Sequence, residues 1–462
     1  MTEYKNYQSP FSWRYSSPEM RSIWSESNRR RLWRSIWICL AEIQLEFGLV
    51  QPDQVEDLRL HQDNIDVERA LEIESQIHHD LMAEIKTFAE QCQIGGGIIH
   101  LGATSVDVKD NAIALQLKEA LHLICGECRA LLLILSSMIR ELADLPVMAY
   151  THLQPAEPTT LGYRLAQYAQ DLLADWESLE RVRENLRGKG FKGAVGTSAS
   201  YAELLGVENL PKFEALLSEK LDLQFYPVAT QTYPRKQEYE IISALAGMGG
   251  TLYKFAFDLR ILQSPPIGEL AEPFGGKQVG SSAMPFKRNP IRSEKIDSLA
   301  RMLAQFPRLA WDNAAHSLLE RTLDDSANRR TMLPEAFLIA DELLRVAKEI
   351  LENLTIDEKA IAKNIAIYGP FAATERVLMA LGKAGADRQE MHERLRGHTL
   401  SAWETIRNLQ PNPLAALITA DKVFLRYLSA KQIQNLMDAG AYVGDAPLRA
   451  HAFAKVISEK IE

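Results

Sequence analysis

The chain has 462 residues, enough for two to four ordinary domains or for one architecture of very long elements. A hydrophobic share of 46% with 24% charged residues supports a sizeable core and excludes a disordered chain. A formal net charge of −9 argues against nucleic-acid phosphates as the main partner, yet it leaves room for a small anionic substrate in a locally cationic pocket.

No apolar segment of signal-peptide type opens the chain and no uninterrupted apolar run reads as a bilayer span, so a cytoplasmic protein with no membrane partner is expected. A short irregular arm containing Arg14 and Tyr15 comes first. Leu32, Ile36, Leu40, Ile43 and Phe47 then fall at helical spacing, with Gly48 as a stop. From Pro52 to about Ala89 the chain reads as shorter helices that include His78, His79 and Asp80, followed by a glycine-rich turn from Gly95 to Ser105.

The character changes at Asp107. Ile113, Leu117, Leu121, Ile124, Cys128, Leu131, Leu135, Met138 and Leu142 alternate steps of four and three with no proline before Pro146, the seam of one helix roughly 50 Å long. Similar seams run through Leu161, Leu165, Tyr168, Leu172 and Leu179, and through Leu245, Met248, Leu252, Phe255, Leu259 and Leu262. Two further helical segments are expected, about 290–320 with a kink at Pro307 and about 326–354. Five long antiparallel helices make a bundle, and their apolar seams exceed what one slender bundle covers, which favours self-association.

Beyond Ile356 the spacing breaks into shorter helices punctuated by Gly369-Pro370, Gly382, Gly385, Pro411 and Pro413. Alternating strand runs are nearly absent. The expected fold is all-α, with a helical domain at 1–106, a central long-helix bundle at 107–355 and a small helical domain at 356–462. The four cysteines are too few for a disulfide framework, and the Cys125/Cys128 pair lies inside a helical run with no second ligand pair at zinc spacing.

Polar, reactive residues gather at four irregular junctions between these helices: His78-His79-Asp80, Thr104-Ser105, Thr151-His152-Leu153-Gln154-Pro155, and the stretch Gly275 to Pro290. Thr104 and Ser105 suit a helix start, which also leaves backbone donors for a carboxylate. His152 either exchanges protons or is a turn histidine at the surface. Gly275 to Pro290 packs glycines, the Ser281-Ser282 pair, Lys287 and two prolines together, the composition of a mobile catalytic loop with its glycines as hinges. Ser326 suits a helix cap, whereas Arg321 and Arg330 near that helix start call for an anion, phosphate or carboxylate.

The run Gly280 to Pro290, GSSAMPFKRNP, resembles the GSSxMPxKxNP signature of the fumarase/aspartase superfamily of lyases. Within it the chain is most similar to the adenylosuccinate lyase branch, on SSAMPFKRNPIRSE from Ser281, THLQPA from Thr151, ERTLDDSANRR from Glu320, HLGATS from His100 and the Arg14-Tyr15 arm. The resemblance implies an all-α homotetramer with a twenty-helix core and active sites shared between subunits. It implies non-oxidative C–N cleavage that releases fumarate from a succinylated purine nucleotide, with no metal and no redox cofactor. Ser281 matches the family's general base and His152 its general acid. Lys287 and Asn289 match residues that hold the succinyl carboxylates, Thr104, Ser105 and Gln231 further substrate contacts, and His79 and Asp80 a substrate-orienting pair. Arg14, Tyr15, Arg321, Ser326 and Arg330 match the phosphate grip. Two positions depart: His78 and Lys295 stand where arginines contact substrate in that branch, and lysine keeps the charge without the bidentate fork. An argininosuccinate lyase-like enzyme, a carboxymuconate cycloisomerase and a catalytically silent helical scaffold are the alternatives; the first two account less well for ERTLDDSANRR, and intact Ser281, His152 and Lys287 speak against the third.

Overall fold

A computed structural model describes residues 5–461, and its elements are overwhelmingly α-helical. The chain divides into two compact units. One comprises Met1–Cys128, Asp175–Gly250 and Leu299–Arg345, and the other Arg129–Ala174, Thr251–Ser298 and Val346–Glu462. The long helices Ser105–Glu141, Leu161–Glu184, Lys236–Leu262 and Ser326–Glu352 are each divided between the two.

The expected seams are largely buried, with Ile113, Met138 and Leu142 of the first partly exposed. In Ser105–Glu141, Leu117, Leu121, Ile124, Cys128, Leu131 and Leu135 are at most 3% exposed, and the seams of Leu161–Glu184 and Lys236–Leu262 are buried throughout. At 37 residues, the first of these is about 55 Å long. By length and hydropathy alone it is apolar enough to cross a bilayer, with 44% of its most apolar window buried within the chain.

Three expectations need correction. The segment around Pro307 is not one kinked helix but two, Ile291–Leu303 and Phe306–Ala315, with the proline in the first turn of the second, where its missing N–H costs nothing. The C-terminal region holds a 26-residue helix, Glu358–Lys383, that runs straight through Gly369-Pro370. Gly369 is there for proximity, since an added Cβ would sit 2.5 Å from the Ala439 side chain. The third is a hairpin where strands were discounted. Strand β1, Pro146–Thr151, pairs antiparallel with β2, Gln154–Thr160, through an irregularity between Met148 and Tyr150. Three prolines in 15 residues hide its alternation.

The first unit's core gathers Trp33, Ile36, Trp37, Leu40 and Ile43 of helix Glu26–Glu46 with Leu58, Leu81, Phe88, Phe213 and Leu217. Set into this apolar surround are two arginines and a glutamate, Arg30, Arg34 and Glu84, all fully buried. Arg30 donates to one Glu84 oxygen and Arg34 to the other, each at 2.8 Å, and Arg34 also donates to the carbonyls of His61 and Asn64. Trp37 Nε1 donates to His100 Nδ1 at 3.0 Å. The second unit's own C-terminal core is built from Val377, Leu381, Leu395, Leu414, Ile418, Phe424 and Ile433.

Two outcomes follow from these buried polar groups. Glu84→Ala leaves two guanidinium charges without their shared carboxylate, and is expected to cost about 3–5 kcal/mol, read as a lower urea midpoint. His100 is pushed down from 6.5 to about 4, first by burial and then by the neighbouring His79. The folded chain therefore holds His100 neutral where the unfolded chain takes up a proton, so its contribution to stability is complete above pH 6.5 and is lost as pH falls from about 6.5 to about 4. Urea midpoints measured across that window are expected to fall less steeply in His100→Gln, and an unchanged slope would remove His100 as the cause.

Candidate active site

The starts of three helices line one cavity of about 600 Å³ in the first unit. They are Asp80–Gln91, Ser105–Glu141 and Ser326–Glu352. His78, at φ +55°, ends the preceding helix in the left-handed region and turns the chain, and His79 then caps the next one by accepting the Met82 N–H on Nδ1 at 3.2 Å. That bond leaves Nε2 as the protonated nitrogen of neutral His79, and it lies 3.5 Å from Ser105 Oγ. Thr104 stands just before the second helix, its N–H donating to Asp107 Oδ2 at 3.0 Å while the Asp107 N–H donates back to the Thr104 carbonyl. In the third helix Ser326 is the first residue and not the cap, which shifts the expected boundary by one position onto buried Asp325.

One carboxylate joins these three helix starts. Asp80 is buried, Lys109 Nζ reaches its two oxygens at 2.8 and 2.7 Å, and Arg330 donates to Oδ2 at 2.9 Å. Burial alone would push Asp80 up, but the Lys109 charge and hydrogen bonds, the Leu81 N–H and Arg330 together hold it down at about 2. The same wall carries a second set of charges. Arg235 donates to Asp325 at 2.7 Å and to Asp110 at 3.0 Å, Arg329 donates to Glu238 at 2.8 Å, and Arg321 donates to Asp325 at 2.8 Å from the cavity side. Gln231 is positioned by its N–H on the Glu320 carbonyl at 3.2 Å.

Of the residues singled out in the sequence, His78, His79, Asp80, Thr104, Ser105, Gln231, Arg321, Ser326 and Arg330 all line this cavity. Arg14 and Tyr15 do not. Their arm is fastened further along the third helix, where Ser16 Oγ and the Ser17 N–H donate to Asp341 at 2.8 and 2.6 Å. Sequence reasoning passed over Trp24, Arg29, Lys109, Asp110, Arg235 and Arg329, which also line the wall. For Lys109 a signal existed: a lysine one turn past the Thr104-Ser105 start, where the helix end disfavours a cation.

His152, Ser281, Lys287, Asn289 and Lys295 belong to the second unit and do not line that cavity. His152 and Leu153 form the two-residue turn of the β1–β2 hairpin, at φ +53° and +59°. Two successive left-handed residues give the primed turn that hairpins favour, a place normally held by Asn-Gly and costly for histidine and leucine. Such strain marks positions where side-chain identity outweighs local stability. The exposed imidazole is thereby held at a hairpin tip.

The stretch 272–290 is neither helix nor strand and is mostly exposed. Ser281 Oγ accepts the backbone N–H groups of Met284 at 3.1 Å and Ala283 at 3.4 Å, donors that favour an oxygen gaining negative charge. Asn289 Nδ2 donates to the Gly280 carbonyl at 2.8 Å, so its amide braces the serine turn. Gly280 differs from the hinge expected there, because an added Cβ would lie 2.0 Å from the Lys287 carbonyl oxygen: it is a close-approach glycine. Gly276 has open space around it and keeps the freedom a hinge needs.

The sequence matches a lyase family model over residues 40–304 and an adenylosuccinate lyase C-terminus model over residues 370–453. It is 41% identical over 413 residues to adenylosuccinate lyase of Schistosoma mansoni, covering 88% of this chain and 86% of that one. It is 38% identical over 464 residues to adenylosuccinate lyase of Saccharomyces cerevisiae, covering 98% and 95%. The archaeal adenylosuccinate lyase of Pyrococcus abyssi is 33% identical over 441 residues, 95% of each chain. Among solved structures, the 3-carboxy-cis,cis-muconate lactonizing enzyme of Pseudomonas putida shares the fold, with a TM-score of 0.87 over 98% of this chain and all of that one at 24% identity. With the family models, the relatives and the all-α fold in agreement, the chain belongs to the adenylosuccinate lyase family of the fumarase/aspartase superfamily.

Proposed function

We propose that the chain is a C–N lyase that eliminates fumarate from adenylosuccinate, giving AMP, and from succinylated aminoimidazole carboxamide ribotide, giving the carboxamide ribotide of purine nucleotide synthesis. The observation that carries this reading is the cavity, which collects polar and cationic residues from five sequence-distant segments into one space suited to a phosphate-bearing, carboxylated ligand.

In this reading Ser281 Oγ takes the proton from the succinyl carbon beside a carboxylate, the C–N electron pair leaves with the purine amine, and His152 delivers a proton to that nitrogen. The proton beside a carboxylate is weakly acidic, so the intermediate's added charge has to meet donors already in place. The backbone N–H groups of Ala283 and Met284 favour the serine alkoxide, and Lys287 and Asn289 are assigned to the succinyl carboxylates. Arg14, Tyr15, Arg321, Ser326 and Arg330 are assigned to the phosphate, Thr104, Ser105, Gln231 and Lys295 to further contacts, and His78, His79 and Asp80 to orientation.

The working form is proposed to be a cytoplasmic homotetramer of chains with domains at 1–106, 107–355 and 356–462, each active site being completed by neighbouring copies. Supporting it is the Ser105–Glu141 helix, whose apolar window is less than half buried within one chain.

An absorbance assay of purified protein with adenylosuccinate, and separately with argininosuccinate, is expected to show turnover of the first alone. Ser281→Ala and His152→Ala are each expected to lower kcat by about a hundredfold to ten-thousandfold with the oligomer intact on sedimentation, and near-normal turnover in either rejects its role. Mixing the two inactive proteins under subunit exchange is expected to restore part of the activity; no recovery despite demonstrated exchange would count against shared sites.

A further inference from the structure

Lys109 is an odd residue to find at the cavity wall. It lies four residues after Ser105 in a helix whose N-terminal end repels cations, and burial lowers its pKa against the pull of Asp80. A lysine that costs this much to place is held there by a specific partner, and its ammonium donates to both oxygens of Asp80. Arg330 occupies the matching place on its own helix, four residues after Ser326, and reaches the same carboxylate through one terminal nitrogen only. Its side chain is 47% exposed. An Asp80–Arg330 pair alone would be neutral, with the guanidinium committed to the carboxylate. Two cations on one carboxylate leave a net positive charge, and the half-exposed Arg330 is the member that can turn toward a ligand.

Resting on the proposed reaction, we propose that Lys109 is a positioning residue for the substrate's phosphate monoester: by contacting both oxygens of Asp80 it weakens the hold of the single Arg330–Asp80 hydrogen bond, so that Arg330 can turn to receive the phosphate dianion.

The test compares AMP with adenosine by calorimetry on the full-length protein, so that only the phosphate differs. Lys109→Met is expected to weaken AMP binding by about tenfold with adenosine binding unchanged, raising KM for adenylosuccinate by a similar factor with little change in kcat. Lys109→Arg is expected to recover most of the AMP affinity, and so is Asp80→Asn combined with Lys109→Met, because no carboxylate then competes for Arg330. The double variant also removes the buried carboxylate that has lost its lysine, and it judges the proposal if Lys109→Met fails to fold. Equal losses for AMP and adenosine, unchanged AMP affinity in Lys109→Met, or no recovery in the double variant would overturn the proposal. Failure of the unaltered protein to prefer AMP over adenosine would overturn it too. Absence of lyase turnover with that preference intact would remove the proposed reaction and leave the Lys109 assignment standing.

Discussion

Asp110, Glu238 and Asp325 each hold a buried guanidinium, and the two arginines concerned, Arg235 and Arg329, are almost wholly removed from water. The Tyr233 N–H also donates to Asp110 at 3.0 Å, so the loop ahead of the Lys236–Leu262 helix is bound to the same network. Buried ion groups of this kind contribute little net stability over apolar packing, but they are unforgiving of displacement. A small shift of one helix along its neighbour would strand a charge, whereas leucine seams tolerate such shifts. The network therefore sets the register of the three helical segments that carry residues 110, 238 and 329, and with it the spacing of Lys109 and Arg330 around Asp80.

This explains which parts of the molecule the sequence discloses. Long helices show themselves because burial repeats along them, and Leu117 to Leu135 or Leu245 to Leu262 are buried as their spacing requires. The hairpin at 146–160 is hidden because prolines take the places of alternating residues. The helix through Gly369-Pro370 is hidden because a local helix-breaking signal is outweighed by the packing of Gly369 on Ala439. In both cases tertiary packing overrides a short-range preference.

The candidate site divides along the same line. Motif residues such as His79, Ser105 and Arg321 are legible because reactive side chains cluster at junctions. Lys109, Arg235 and Arg329 are not, since charged residues within helices usually face water and only the fold reveals that the two arginines are buried and the lysine is partly so. The donors at Ser281 are equally invisible in a string of letters. The groups that reach the Ser281 oxygen are main-chain N–H groups two and three residues further on. Any residue supplies an N–H except proline, so the requirement falls on backbone shape, with Gly280 and Asn289 fixing that shape.

The hairpin tip bears on how this chain can be improved. Replacing a left-handed non-glycine residue by glycine or asparagine relieves a backbone strain of roughly 1–2 kcal/mol per residue, and His152-Leu153 is a prominent opportunity for it. On the assignment made above, it is also the place where that replacement trades turnover for robustness. Thermal screening without an activity readout would enrich for inert variants at this turn, and a library meant to harden the enzyme should hold position 152 constant.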